Sequence, residues 1–147
     1  MDILTTGAAC GLFAASVMYD QRRRRIPNMV PLALAVLFAV PAFLGTLPSG
    51  WLEHVAVGGA FLAAGFLFYL AGGFGAGDGK LLAAAGLWVG PAMLGWFLLA
   101  MAGCALALSL VGALRGGRFL RRGLPFAWAI APPAIFVLLA RAGLSVW

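Results

Sequence analysis

The chain has 147 residues, of which 64% are hydrophobic and only 10% are charged, and its formal net charge is +6. Soluble domains usually carry about 25% charged residues, so this composition, with a mean hydropathy of +1.05, excludes an ordinary soluble protein. Backbone groups inside a bilayer must be satisfied within the chain, and the apolar runs here are continuous rather than alternating. We therefore expect an all-α, polytopic membrane bundle that forms one domain over residues 1–147.

The apolar runs predict about six transmembrane helices. In chain order they cover residues 3–19, 29–47, 51–71, 81–89, 91–114 and 124–144. The fourth is short because a glycine-rich break at residues 72–79 precedes it and the Gly90-Pro91 pair separates it from the fifth. Basic residues follow the first run instead of preceding it, so we expect a retained membrane helix and not a cleaved signal peptide.

The basic residues predict the orientation in the membrane. Nine of the ten fall on one side of the predicted spans, at residues 22–25, 80, 115, 118, 121 and 122. Because cytoplasmic loops are enriched in lysine and arginine, we expect the N-terminus outside and these loops in the cytoplasm. Only Arg141 falls towards the outer side. The arginines of residues 22–25 are expected to anchor the topology and to contact anionic lipid, with no role in nucleic-acid binding.

Two of the acidic residues are candidates for chemistry. The chain has only four acids, and of these Asp20 follows the first apolar run and Asp78 ends the glycine-rich break. Both fall on the predicted cytoplasmic side. A carboxylate at the edge of hydrocarbon is costly and therefore a functional candidate. Two neighbouring carboxyl groups share a proton, so one can activate water while the other donates to a carbonyl oxygen.

Structural alternatives to this chemistry remain open. Asp20 could simply solvate or cap the start of a loop, and Asp78 could cap a short helix that starts at Lys80. The side chain of Lys80 either extends to the interface or influences the charge of Asp78. Asn28 is expected to cap the second helix.

Other polar and small residues indicate packing instead of chemistry. Cys10 and Cys104 are single residues within predicted spans, and neither has the spacing of a metal or redox motif. His54 is expected near the outer interface, so no metal or other cofactor is predicted. Gly58-Gly59 and Gly103 are expected at close helix contacts.

Two motifs resemble a known family. Residues 20–28 read Asp-Gln-Arg-Arg-Arg-Arg-Ile-Pro-Asn, and residues 75–84 read Gly-Ala-Gly-Asp-Gly-Lys-Leu-Leu-Ala-Ala. In this order they resemble the two catalytic motifs of the type IV prepilin peptidases, which are GxGD membrane aspartyl proteases. Residues 86–90 and the segment around Pro125 extend the likeness, although Ala127 stands where glycine is expected. The length resembles the short form that serves Flp or tight-adherence pili.

The resemblance implies an endopeptidase that removes the leader of type IV prepilins at the cytoplasmic face of the bacterial inner membrane. Asp20 and Asp78 would be the catalytic pair. The residues implied to shape the site are Gly75, Gly77, Lys80, Pro27 and Asn28. The partner would be the helix of a prepilin or pseudopilin. Larger members also methylate the new N-terminus and carry paired CxxC motifs, which this sequence does not contain, so no methyltransferase activity is expected.

Two functions of other classes use the same residues. A small proton- or cation-coupled transporter or channel component could bind ions at the aspartates and would show ion flux without cleavage. An inactive assembly partner in pilus biogenesis would tolerate substitution of both aspartates. The sequence does not specify the oligomeric state.

Overall fold

The computed structural model describes residues 3–47, 49–72, 75–114 and 126–144. Six helices occupy most of these ranges. They are α1 (Ile3–Arg23), α2 (Met29–Phe43), α3 (Trp51–Leu70), α4 (Ala76–Val89), α5 (Leu94–Leu114) and α6 (Ala127–Leu144). The predicted all-helical class is confirmed, and the predicted basic loop at residues 115–123 lies outside the described residues.

Three helix boundaries differ from the prediction by four residues or more. Helix α1 continues to Arg23 instead of ending at residue 19, so Asp20 lies on a helix and not at the start of a loop. Helix α4 begins at Ala76, within the predicted glycine-rich break. Helix α2 ends at Phe43, four residues before the predicted end at residue 47.

The lengths and surfaces of the helices are those of a membrane bundle. Helices α1, α3 and α5 are long and apolar enough to cross a membrane, and α2 and α6 are shorter apolar helices. Large apolar side chains lie on the outside, for example Phe43 at 92% and Leu106 at 71% exposure. Such a surface is unfavourable in water and is satisfied by lipid.

Helix α4 lies at the centre, in contact with α2, α3, α5 and α6. Glycines bring α3 and α4 together almost backbone to backbone. A Cβ added at Gly65 would lie 2.6 Å from the Cα of Gly79, and one added at Gly86 would lie 3.1 Å from the Cα of Gly58. On each helix the two glycines are seven residues apart, which is about two turns, so they share one face. Small residues at such contacts let membrane helices pack closely.

The expected close packing is confirmed at Gly58 and is wrong at two other glycines. A Cβ added at Gly59 or at Gly103 would meet nothing within 4 Å. These two residues therefore face open space or lipid, and close packing does not require glycine there.

One face of α1 carries Asp20 into the bundle. Ala9, Phe13, Ser16 and Asp20 are all buried, and they follow one another at intervals of three or four residues. This spacing places them on a single helical face. After α1 the chain turns at Arg24, which has a φ of 51° and whose N–H donates to the Asp20 carbonyl at 2.9 Å.

Candidate active site

The structure brings Asp20 and Asp78 to the same cavity. This cavity has a volume of about 300 Å³. Its lining comes from the end of α1, the loop that follows it and the start of α4, namely Asp20, Arg24, Arg25, Ile26, Asn28, Gly75, Ala76, Gly77 and Asp78. Two acids that are 58 positions apart in the sequence therefore share one polar space, which we call the acidic cavity.

Asp20 is held by the first turn of α6. Its side chain is only 7% exposed. Its Oδ2 accepts a hydrogen bond from the backbone N–H of Ala127, the first residue of α6, at 3.3 Å. The amino end of a helix carries partial positive charge and unpaired N–H groups, so it favours a carboxylate. This bond therefore fixes the position of the Asp20 carboxyl group at the edge of the cavity.

Asp78 lies in the first turn of α4, before the apolar part of that helix. Its Oδ2 accepts a hydrogen bond from the N–H of Gly75 at 3.2 Å. Asp78 was expected as a possible N-cap of a helix that starts at Lys80. This expectation is wrong, because the N-cap is Gly75 and Asp78 is the third residue of the helix. The carboxylate instead reaches back to the N-cap, which is half of a capping box.

The environment of Asp78 favours its protonated form. Burial raises the pKa of Asp78 from 3.8 to about 6, the nearby charge of Asp20 acts in the same direction, and the Gly75 N–H opposes them. A carboxyl group that is desolvated and close to a second carboxylate keeps its proton to higher pH. The cavity therefore combines a carboxyl group that accepts a backbone N–H of α6 with a second carboxyl group that retains its proton in weak acid.

The two predicted site-shaping glycines have separate packing roles. A Cβ added at Gly75 would lie 3.0 Å from the Oδ2 of Asp78, so any larger residue would push against the carboxylate. A Cβ added at Gly77 would lie 3.2 Å from the Cβ of Ile26. Gly77 thus lets the start of α4 approach the loop that follows α1, and Gly75 leaves room for the carboxylate itself.

Asn28 and Lys80 connect the two motifs. Lys80 Nζ donates to Asn28 Oδ1 at 2.9 Å. Asn28 was predicted to cap α2, and it does occupy the N-cap position. Its side chain makes no capping hydrogen bond, so the predicted capping interaction is wrong. Neither expectation for Lys80 included this bond. Pro27 leads into α2, and its carbonyl accepts the N–H of Val30 at 3.1 Å.

An apolar groove begins beside the acidic cavity. It has a volume of about 490 Å³ and lies between α2, α3 and α4. Its walls are mostly small or aliphatic residues, namely Pro31, Leu32, Ala35, Val55, Gly58, Gly59, Leu62, Ala83, Ala84 and Leu87. Asn28 lines both the groove and the cavity, and Lys80 lines the groove. The Asn28–Lys80 bond therefore marks the place where apolar groove and polar cavity meet.

Some residues of the site carried no role in the sequence-based prediction. The N–H of Ala127 is a backbone group, and no side-chain pattern indicates it. Arg24, Arg25 and Ile26 line the cavity, although their motif suggested only membrane anchoring and family likeness. Within the described ranges, no group of three or more His, Cys, Asp or Glu side chains is arranged to hold a metal ion.

The fold and this site define a class, that of helical membrane proteins with two carboxyl groups in one polar cavity. Residues 7–114 match the family model of the type IV leader peptidases, and the chain belongs to that family. The predicted family is thereby confirmed, and the protein is a peptidase of this kind. The matched range contains both acidic motifs and ends before α6. No curated protein and no solved structure is significantly similar to the chain.

Proposed function

We propose that the protein is a membrane aspartyl endopeptidase that removes the leader peptide of type IV prepilins of the Flp kind. The observation that carries this proposal is the shared cavity of Asp20 and Asp78 in a member of the leader peptidase family. A peptidase needs groups that activate water and protonate the departing amine. Paired carboxyl groups in different protonation states supply both functions.

The two aspartates have different roles in the proposed reaction. Asp20 is the base, because its Oδ2 accepts the N–H of Ala127 and its charge helps to keep the shared proton on Asp78. Asp78 is the acid, because its pKa of about 6 lets it hold a proton. Asp20 takes a proton from water as the water oxygen bonds to the scissile carbonyl carbon, and Asp78 protonates the carbonyl oxygen.

The second half of the reaction restores both groups. Asp20 gives its new proton to the amide nitrogen as the carbon–nitrogen bond breaks, which releases the amine. Asp78 takes back a proton from the hydroxyl group as the carboxylic acid product forms. One water is consumed, and the protonation of the pair is unchanged after each turnover.

The substrate's apolar helix is proposed to lie in the groove between α2, α3 and α4. This groove meets the acidic cavity at Asn28, so a helix in the groove would end where the polar cavity begins. Cleavage requires that the substrate's backbone is extended at the scissile bond. The junction between the substrate's polar leader and its apolar helix can adopt this extended conformation. The small walls at Gly59 and Ala83 suit close helix packing.

The proposed location is the bacterial inner membrane, with the N-terminus outside and the acidic cavity facing the cytoplasm. The arginines of residues 22–25 lie at the same end of the bundle as Asp20, and Lys80 lies beside Asp78. Positive residues remain preferentially on the cytoplasmic side of a membrane, which supports this orientation.

Cleavage of a purified prepilin by the protein in nanodiscs tests the proposal. Asp20→Asn and Asp78→Asn should each lower kcat by at least about a thousandfold, because each removes one half of the acid–base pair. Glu53→Gln is the matched control, since Glu53 is an exposed acid in the first turn of α3, and it should cleave at the normal rate. Full activity of either aspartate variant refutes the mechanism, and ion flux without cleavage would instead support a transporter.

A pair of glycine variants tests the proposed groove. Gly59→Leu should fill it without a clash, because a Cβ at this position meets nothing within 4 Å. We expect KM to rise at least tenfold while kcat stays within threefold. Gly11→Leu is the control, because Gly11 is equally open but lines a different apolar groove between α1 and α2. A normal KM for Gly59→Leu, or an equal rise in both variants, rules out this groove as the substrate's place.

A further inference from the structure

The carboxyl end of α4 is held by side chains from two other helices. The last four carbonyls of an α-helix have no partners within it. At the end of α4, the Gly86 carbonyl accepts the N–H of Gly90 at 3.0 Å. The next carbonyl, that of Leu87, is 2.7 Å from Nδ1 of His54 on α3. Because a carbonyl can only accept, His54 carries its proton on Nδ1 and donates.

Arg141 of α6 supplies the remaining partners. Its Nη1 donates to the Trp88 carbonyl at 3.2 Å, and its Nη2 donates to the Val89 carbonyl at 2.6 Å. All four terminal carbonyls of α4 are thus satisfied. The guanidinium also places a positive charge at the negative end of the helix dipole. The side chain of Arg141 is only 8% exposed, so these bonds lie inside the bundle.

His54 is fully buried within the bundle. It lies in the first turn of α3, as predicted, and its side chain is 0% exposed. A Cβ added at Gly90 would lie 2.3 Å from the imidazole ring, so glycine is required there for space, and the φ of 63° at Gly90 also favours it. The ring is therefore enclosed between α3 and the end of α4.

The short length of α4 explains why side chains are needed at this end. Its 14 residues extend about 21 Å, which is less than the roughly 30 Å of a hydrocarbon core. Helix α4 is therefore too short to reach both faces of the bilayer, and its carboxyl end is buried in the protein, with Trp88 and Val89 0% exposed. Carbonyls at a buried helix end must bond to other groups of the protein.

Helix α6 contacts both ends of this arrangement. Its first residue, Ala127, binds Asp20 at the acidic cavity. Arg141, fourteen residues further along, binds the far end of α4. That separation is about 21 Å along a helix, which equals the length of α4. Helix α6, which contains Pro132 and Pro133 between these two contacts, therefore connects the position of Asp20 at one end with the position of α4 at the other.

We propose that His54 and Arg141 are positioning residues of the acidic cavity. Arg141 holds the end of α4 at a defined position along α6, and His54 holds the same end against α3. Together they set the distance between Asp78 and Asp20. A displacement of about 1 Å between catalytic groups can lower a rate by about a hundredfold. The kinetic part of this inference rests on the proposed peptidase function, but the spacing of the two acids does not.

Substitutions at the far end of α4 test this inference in the full-length protein. Arg141→Met and His54→Leu should each lower kcat at least tenfold, with KM changed less than threefold, because the proposed substrate groove is intact. Arg141→Lys and His54→Asn keep a donor near the same carbonyls and should recover much of kcat. Phe136→Leu, at an exposed position of α6, is the control and should leave kcat unchanged.

A second measurement separates positioning from simple folding and does not depend on activity. The carboxyl stretching band of Asp78 is identified as the infrared band that is absent in Asp78→Asn. Its intensity is then measured as a function of pH for the protein in nanodiscs. Wider separation from Asp20 weakens their repulsion, so the pKa of Asp78 should fall in Arg141→Met and recover in Arg141→Lys. If Arg141→Met does not fold, His54→Leu and Arg141→Lys are compared with the wild type in the same way.

The outcomes are distinct. If the wild-type protein cleaves no prepilin, the proposed function fails, whereas a shifted Asp78 titration still supports the positioning role. If the folded variants titrate like the wild type and cleave at its rate per folded molecule, the positioning role is overturned. A loss of folded protein with unchanged kcat and titration overturns it as well, because the two residues would then act on stability alone.

Discussion

The protonation of Asp78 should control how the rate depends on pH. Asp78 has a pKa of about 6, raised by burial and by the charge of Asp20. A general acid acts only while it holds its proton, so activity should be lost as the pH rises through about 6. If Asp78 were the base, the rate would rise over the same interval, so the sign of the slope assigns the roles.

The size of the effect follows from the shift. With a pKa of about 6, roughly one tenth of the molecules keep the proton at pH 7. With the ordinary value of 3.8, fewer than about one in a thousand would keep it. The local environment therefore increases the active fraction at neutral pH by about 150-fold. Between pH 7 and pH 8 we expect kcat/KM to fall about tenfold, because that ratio reports the ionisation of the free enzyme.

The assay measures kcat/KM for one prepilin peptide in nanodiscs from pH 5 to pH 8. The folded protein binds the Asp78 proton more tightly than the unfolded chain, so stability should also decrease as the pH rises through about 6. The folded fraction is therefore measured at each pH, and the activity is expressed per folded molecule. A value of kcat/KM that is constant from pH 6 to pH 8, or that increases, refutes the assignment of Asp78 as the acid.

Three further substitutions have defined expectations. Gly77→Ala should lower kcat about tenfold or more, because its Cβ would meet the Ile26 Cβ at 3.2 Å and displace the start of α4. Gly65→Ala should lower the free energy of unfolding by about 1–3 kcal/mol, since its Cβ would lie 2.6 Å from the backbone of Gly79. Trp88→Phe should cost about 0.5–1.5 kcal/mol by removing the 2.9 Å bond from its indole N–H to a carbonyl of α2.

Matched glycine variants control for the first two. Gly7→Ala and Gly103→Ala add the same methyl group where nothing lies within 4 Å, and both should behave as the wild type in cleavage and in denaturation. Unfolding is followed in mixed micelles by circular dichroism. Equal stability of Gly65→Ala and Gly103→Ala would contradict the backbone contact between α3 and α4. Normal kcat for Gly77→Ala would contradict the role given to its contact with Ile26.

The sequence predicts the number of helices and the meeting of the two motifs better than it predicts where helices start and end. A charged residue after an apolar run indicates where hydrocarbon ends, but the helix itself can continue. Gln21, Arg22 and Arg23 have good helical propensity, so α1 carries on through Asp20. The direction of the Asp20 carboxyl group is consequently set by its position on the buried face of α1. The interpretation of Asp20 as a loop residue did not predict this.

The predicted start of α4 was wrong because of its glycines. Each glycine within a helix costs about 1 kcal/mol relative to alanine, so residues 72–79 were predicted as a break. In the structure Gly77 and Gly79 lie within α4, where contacts with Ile26 and with Gly65 compensate for that cost. The same glycines that weaken an isolated helix make the central helix of this bundle possible.

The roles of His54 and Arg141 were beyond sequence reasoning. A lone histidine and a lone arginine in apolar helices carry no motif, and their partners are backbone carbonyls that any sequence would provide. They can be identified only once the carboxyl end of α4 is known to lie between α3 and α6. The hydrogen bond from the Ala127 N–H to Asp20 could not be predicted either, because its donor is also a backbone group.

At Gly65 and Gly79 the backbones of α3 and α4 meet without side chains between them. Such a contact leaves no room for the two helices to slide or tilt against each other. The two helices should therefore move as one body. Because Arg141 also binds α6 to the end of α4, any rearrangement that admits a peptide by changing the gap between the acids has to come from α1, which carries Asp20. The molecule is thus divided into a fixed part, formed by α3, α4 and α6, that presents Asp78 and an adjustable helix that presents Asp20.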